Sequence, residues 1–265
     1  MCPSHIRSAT ALLVALLAAA SASGEPVAVR FNEGLVHGFL TLRSLDGSHL
    51  ADGDLLQTAR GSRVTSRLVF HFKDGSLHDE TSVFSQRQQF RLLNYRLTQK
   101  GPAFPLPLEM SIDDNGQATV HYSDEHGERK TEIAHIDVPP DLANGMILTL
   151  LKNVRPETAP KELSMIVATP KPRLVKLKVV PSGEERFATG QAGRKAVHYV
   201  LKVDIGGLQG LVAPLVGKQP PDSHVWILGG EAPAFVRSEQ LFFMGGPLWR
   251  IELASPVFRK PEPAR

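Results

Sequence analysis

The chain is poor in cysteine and in net charge, and each shortage excludes a class of protein. One cysteine among 265 residues cannot build a disulfide scaffold or the usual cysteine-based zinc sites. A formal net charge of +3 is too small to indicate a nucleic-acid-binding surface, so we expect no nucleic-acid partner. Hydrophobic residues make up 42%, an ordinary share that argues against disorder and against a membrane-embedded body. A soluble globular protein with a substantial core is the class that remains.

Residues 1–24 have the pattern of a cleavable secretory signal. Arg7 precedes the apolar run 11–20, and small residues follow it. As a helix this run reaches ~15 Å, about half the thickness of a bilayer core, so we expect no transmembrane anchor in the mature chain. The pattern predicts an exported protein, periplasmic or extracellular, whose single Cys2 is removed with the signal. A buried N-terminal helix is the alternative.

The rest of the chain predicts a mainly β fold. Short apolar-alternating segments recur about every ten residues, separated by turn pairs such as Asp46-Gly47 and Asn115-Gly116. We expect one large curved antiparallel sheet, or a half-open barrel, formed by a single domain at 25–255. Two lobes divided near 155–161 are the alternative. Residues 256–265 are expected to be a flexible tail.

Two segments depart from the strand pattern. Apolar residues at helical spacing predict one amphipathic helix at about 141–154, packed on the sheet. The polar, glycine-containing stretch 181–195 predicts an exposed hairpin loop.

The first candidate site is a metal site on a hairpin. If Asp74-Gly75 forms a two-residue turn, His71 lies opposite His78, with Glu80 on the same face. Two imidazoles and a carboxylate can hold a divalent metal. The alternative is an ordinary hairpin face in solvent.

The second candidate is an apolar ligand site. Its predicted residues lie on the apolar segment 207–217 and on late aromatic positions: Leu208, Leu211, Leu215, Trp226, Phe235 and Trp249. The segment is expected either to close a cavity as a lid or to form a short turn packed in the core. The aromatic residues either line a cavity in the curved sheet or belong to the core.

Recognisable catalytic motifs are missing from the sequence. It has no Gly-x-Ser-x-Gly elbow, no HExxH pair and no complete phosphate-binding loop. We therefore expect a protein that is not an enzyme and that uses no cofactor.

The C-terminal third resembles a group of uncharacterised bacterial periplasmic β-proteins. The strand-like segment 198–203 is followed by 224–228, which carries a tryptophan, and by 234–237, which ends in a basic residue. The segment 246–253 then finishes in an acidic residue and a leucine. The resemblance implies an exported antiparallel sheet of unknown function and assigns no site residues.

Three functions follow as hypotheses. The first is a cell-envelope protein whose sheet binds an apolar ligand such as a lipid in its concavity. The second is a structural or interaction module with a filled core and an envelope protein as partner. The third is a metal-assisted hydrolase centred on His71, His78 and Glu80.

Overall fold

The computed structural model describes residues 24–124, 126–158, 161–189, 192–204 and 220–254. The predicted signal, except Gly24, and the predicted tail lie outside these residues. None of the helices in the described ranges is both long enough and apolar enough to cross a membrane.

The described residues form fourteen strands, one α-helix and a 3-10 turn at Pro156–Thr158. The helix α1 is Ile147–Asn153. The strands in chain order are β1 (Val36–Ser44), β2 (His49–Arg60), β3 (Arg63–Phe72), β4 (Leu77–Gln86), β5 (Phe90–Lys100), β6 (Leu108–Ile112), β7 (Gln117–Ser123), β8 (Arg129–His135), β9 (Lys161–Val167), β10 (Arg173–Thr189), β11 (Ala192–Asp204), β12 (Ser223–Leu228), β13 (Ala234–Leu241) and β14 (Leu248–Leu253).

All fourteen strands belong to one antiparallel sheet, which confirms the predicted mainly β fold class. Strands that are consecutive in the chain pair with each other within β1–β8 and within β9–β14, and β14 pairs with β1 to join the two halves. The strands β8 and β9 are the two ends of the strand order, so the sheet is open. Alternating burial along β3 shows the usual pattern of a strand with one face toward the core.

The predicted hairpin loop at 181–195 is wrong. The strands β10 and β11 stay paired as far as Thr189 and Ala192, with one register shift between Pro181 and Glu184. Gly183 lies in this irregularity with a φ of 103°, which favours glycine. The stretch looked like a loop because its side chains are polar, but strand pairing needs only backbone groups.

The predicted helix exists, but it is shorter than 141–154. Gly145 adopts a φ of 64°, so a right-handed helix cannot continue through it. Residues 141–144 instead lie against the edge of β9. The Asn144 side chain accepts a hydrogen bond from the Ile166 amide and donates one to the Ile166 carbonyl, both at 2.8 Å. This segment therefore covers a sheet edge that would otherwise expose unpaired backbone groups.

The helix occupies the inner face of the curved sheet. Leu150 and Leu151 are buried in the same cluster as Phe84 of β4, Leu177 of β10 and Ile227 of β12. These strands are far apart in the sheet order, so the sheet curves around α1. The side chains of α1 therefore pack on the concave face of the sheet.

Candidate functional site

Five aromatic side chains meet at one end of the sheet, and we call them the aromatic cluster. Trp249 is its centre. The ring centroid of Trp249 lies 5.4 Å from that of Phe72, 6.2 Å from Phe104, 5.1 Å from Phe242 and 5.9 Å from Phe243. Tilted and edge-to-face pairs at such distances are the favoured arrangement of aromatic rings.

Antiparallel pairing explains why these residues meet. Phe72 is the last residue of β3, and Phe104 lies in the loop between β5 and β6. Phe242 and Phe243 follow β13, while Trp249 lies near the start of β14. Each loop connects two antiparallel strands and so returns the chain at the same end of the sheet.

A small cleft of ≈ 160 Å³ opens beside the aromatic cluster. Leu50, Phe72, Ala103 and Trp249 provide apolar walls, and His49, Lys73 and Asp74 complete the lining. An apolar cleft with a few polar groups at its border is the usual form of a small-molecule site.

The polar groups of this cleft differ in what they are free to bind. Asp74 accepts a hydrogen bond from the Ser76 amide at 2.9 Å, and His49 lies 2.9 Å from an oxygen of Asp52. Lys73 makes no ion pair with any carboxylate of the described residues. Its ammonium group is therefore free to attract an anionic group, and the Asp74 carboxylate in the same lining likewise makes no ion pair among the described residues.

His78 lies behind the aromatic cluster, deep in the core. Its ring centroid is 4.8 Å from that of Phe242, and its Nδ1 accepts a hydrogen bond from Gln99 Nε2 at 3.1 Å. Because Nδ1 accepts, the proton of the neutral ring lies on Nε2. Desolvation by burial lowers the pKa of His78 to about 4, although Asp79 acts weakly in the opposite direction. A neutral His78 thus belongs to the apolar core that supports the cluster.

The predicted apolar-site residues divide between two faces of the sheet. Trp249 lines the cleft, and Phe235 is buried in the main core. Trp226 lies on the opposite face, where its ring stacks on His198 at 4.4 Å and the Arg237 guanidinium lies 3.9 Å from its centroid. Leu208, Leu211 and Leu215 lie outside the described residues.

The predicted pairing of His71 with His78 is wrong by one residue. The turn has three residues, with Gly75 at a φ of 85° and a hydrogen bond from the Phe72 amide to the Ser76 carbonyl. His71 therefore lies opposite Leu77, and His78 lies opposite Phe70. A shift of one residue moves a side chain to the other face.

The three predicted metal ligands consequently do not come together. His71 is exposed, whereas His78 is buried on the inner face. Glu80 accepts a hydrogen bond from the Tyr95 hydroxyl at 2.7 Å, and desolvation raises the pKa of Glu80. No group of three or more metal-binding side chains occurs within the part of the chain that the structure describes.

Sequence reasoning missed Lys73 and Ala103 as members of the cleft. Lys73 lies inside the hairpin sequence whose histidines and glutamate predict a metal site. Ala103 follows a strand by a few residues and has no chemical signal of its own. Only the pairing of strands places these residues beside Trp249.

Comparison with solved structures shows a structural likeness at low sequence identity. No family model matches the chain. No curated protein matches it either. The chain is similar to the crystal structure of a beta-barrel-like protein of domain of unknown function DUF1849 from Brucella abortus, with a TM-score of 0.47 and 11% sequence identity. The alignment covers 88% of this chain and 100% of that chain.

Proposed function

We propose that this protein is an exported cell-envelope protein that binds an apolar ligand carrying a carboxylate. The observation that supports this proposal is the apolar cleft beside Trp249, with the unpaired ammonium group of Lys73 at its border. Export is supported by the sequence of residues 1–24. A binding role, as opposed to an enzymatic one, is supported by the lack of a recognisable catalytic motif in the sequence.

The volume of the cleft limits what it can hold. An apolar cavity of roughly 150 Å³ binds one benzene molecule, so ≈ 160 Å³ suits a single ring or a chain end of about six carbons. The proposed ligand is therefore inserted by one end and is not enclosed. The proposed site lies at one end of the sheet, whereas the sequence predicted a ligand in the concavity, where α1 packs.

Trp249 provides a direct readout of this proposal. The chain has two tryptophans, and Trp226 lies on the other face, so Trp226→Phe leaves Trp249 as the single tryptophan. We expect decanoate to shift the Trp249 emission in a saturable way, because the chain end replaces water beside the indole. Decanol should bind more weakly, since it lacks the charge that Lys73 attracts.

Two changes in the Trp226→Phe background test the geometry. Ala103→Leu fills part of the cleft and should weaken decanoate binding by at least tenfold. Lys73→Ala should weaken decanoate binding and leave decanol binding unchanged. Lys100→Ala is the matched control, because this exposed lysine lies at the end of β5 outside the cleft lining.

The same experiment distinguishes ligand binding from the second hypothesis, a structural or interaction module. If decanoate leaves the Trp249 emission unchanged, or if Ala103→Leu binds as tightly as its parent, the cleft is not a ligand site. A structural or interaction module with a filled core would then be the better description. Native mass spectrometry of protein isolated from cell envelopes tests export in parallel, because cleavage after Gly24 shortens the chain by a defined mass.

A further inference from the structure

A second and larger cleft lies at the opposite end of strands β3, β4 and β5. Its volume is ≈ 570 Å³. Three of its eight lining residues are arginines, Arg63, Arg87 and Arg91, and the other lining residues include Ser62, Ser85 and Gln88. Small-molecule sites commonly have volumes of this order.

Strand register brings these residues together. Arg63 lies opposite Ser85, and Ser85 lies opposite Arg91, so one row crosses three strands on the outer face. Arg60 extends the row to β2, because it lies directly opposite Arg63. Directly opposed residues have Cβ atoms ~5 Å apart, so the guanidinium groups can converge on one ligand.

These arginines have no acidic partners. Within the described residues, Arg60, Arg63, Arg87 and Arg91 make no ion pair, and Arg87 makes only a long hydrogen bond to Ser62 Oγ at 3.4 Å. By contrast, Arg67, further along β3, is paired with Asp79 at 2.6 Å. The row is thus a local concentration of positive charge on a chain that is nearly neutral overall.

A row of arginines without acidic partners lowers the stability of the protein unless a bound anion offsets the repulsion between them. Arg60 and Arg63 lie directly opposite each other. Like charges in such a position destabilise a sheet. All four arginines are exposed, so the core does not require them. Guanidinium groups bind phosphate through paired, charge-assisted hydrogen bonds, and serine hydroxyls add further donors.

We propose that this cleft, which we call the arginine cleft, binds a phosphate group of a small molecule or of a lipid headgroup. The site is independent of the apolar cleft. The ten residues of β3 separate the two ends of the sheet by about 30 Å at 3.3 Å per residue. Each site can therefore fail its test without affecting the other.

The test uses three probes on the full exported chain. Inorganic phosphate and pyrophosphate are titrated calorimetrically at low ionic strength, and vesicles of phosphatidylcholine with or without phosphatidylglycerol are tested by cosedimentation. We expect saturable binding of pyrophosphate or of the phosphatidylglycerol vesicles, with pyrophosphate binding tighter than phosphate because it engages more than one arginine.

A charge-matched pair of variants separates a built site from general attraction. The double variant Arg63→Gln/Arg91→Gln should lose at least tenfold in affinity. Arg67→Gln/Arg96→Gln removes the same charge from the same two strands, on the same face but outside the cleft, and should lose less than threefold. All four positions are exposed, so both variants are expected to fold, which circular dichroism checks.

The outcomes divide as follows. If Arg63→Gln/Arg91→Gln loses pyrophosphate binding and the control variant keeps it, the ligand is a soluble phosphate. If Arg63→Gln/Arg91→Gln loses vesicle binding but no pyrophosphate binding, the ligand is a lipid headgroup. Equal loss in the two variants, or no binding of any probe by the unaltered protein, overturns the proposal.

Discussion

The buried imidazole of His78 makes the stability of this protein depend on pH. In the unfolded chain this histidine takes up a proton near its ordinary pKa of 6.5, whereas burial lowers its pKa in the folded protein to about 4. The unfolded state therefore binds the proton more readily over that interval. The contribution of His78 to the free energy of unfolding is fully present above pH 6.5 and is lost as the pH falls toward 4.

The expected loss can be given a magnitude. Each pH unit between the two pKa values changes the free energy of unfolding by about 1.4 kcal/mol, so the total is on the order of 3 kcal/mol. His78 is only 6% exposed, so solvent screening reduces this figure little. Other titrating groups act in the same pH range, and a variant that lacks only this imidazole is needed to isolate its share.

His78→Asn is that variant. Its Oδ1 can replace Nδ1 as the acceptor for Gln99, but the side chain does not titrate. Loss of the ring should destabilise the protein equally at all pH values. We expect unfolding by urea, followed by tryptophan fluorescence, to show that the wild-type protein loses about 3 kcal/mol more than the variant between pH 7 and pH 4.

Phe104→Leu is the control for this measurement. This substitution reduces the packing around His78 without removing a titrating group. The stability of the variant should therefore depend on pH as that of the wild-type protein does. Parallel curves for the wild-type protein and His78→Asn would refute the conclusion that His78 is neutral and desolvated.

Three further predictions concern the core and a sheet edge. Glu80→Gln should stabilise the protein at pH 7, because burial raises the pKa of Glu80; the gain should vanish below pH 4.5 in the same urea assay. Asn144→Ala leaves the amide and carbonyl of Ile166 without their partners and should cost roughly 3 kcal/mol, measured by urea unfolding. Gly53→Ala places a Cβ 2.4 Å from the ring of Phe70 and should lower the thermal midpoint, at a cost of about 1–3 kcal/mol.

Asn144→Ala and Gly53→Ala each have a comparison in the same chain. Asn115→Ala, at an exposed turn, should change the free energy of unfolding by less than about 0.5 kcal/mol. Gly34→Ala meets no atom within 4 Å and should leave the thermal midpoint nearly unchanged. A Gly53→Ala protein as stable as Gly34→Ala would contradict the close contact between Gly53 and the Phe70 ring. A Glu80→Gln protein less stable than the wild type at pH 7 would contradict the burial of that carboxyl group.

The sequence alone predicted a chain of short strands separated by tight turns. The predicted turns at Asp46-Gly47 and Asn115-Gly116 do connect β1 to β2 and β6 to β7, because alternating apolar residues and Asp-Gly or Asn-Gly turns are local signals. The signal that predicted one helix, apolar residues at helical spacing, is also local. The start of the helix is not, because Gly145 takes a left-handed conformation beside β4, where its carbonyl accepts a hydrogen bond from the Ser82 hydroxyl at 3.0 Å.

Tertiary structure decided the sites. One residue in the turn after Phe72 determines whether His78 faces solvent or the core, and both turn lengths are compatible with Asp74-Gly75. The arginine cleft joins residues as distant in sequence as Arg63 and Arg91, and only the register of three strands makes them neighbours. Local patterns specify which residues form strands, whereas pairing between distant strands specifies which side chains can act on the same ligand.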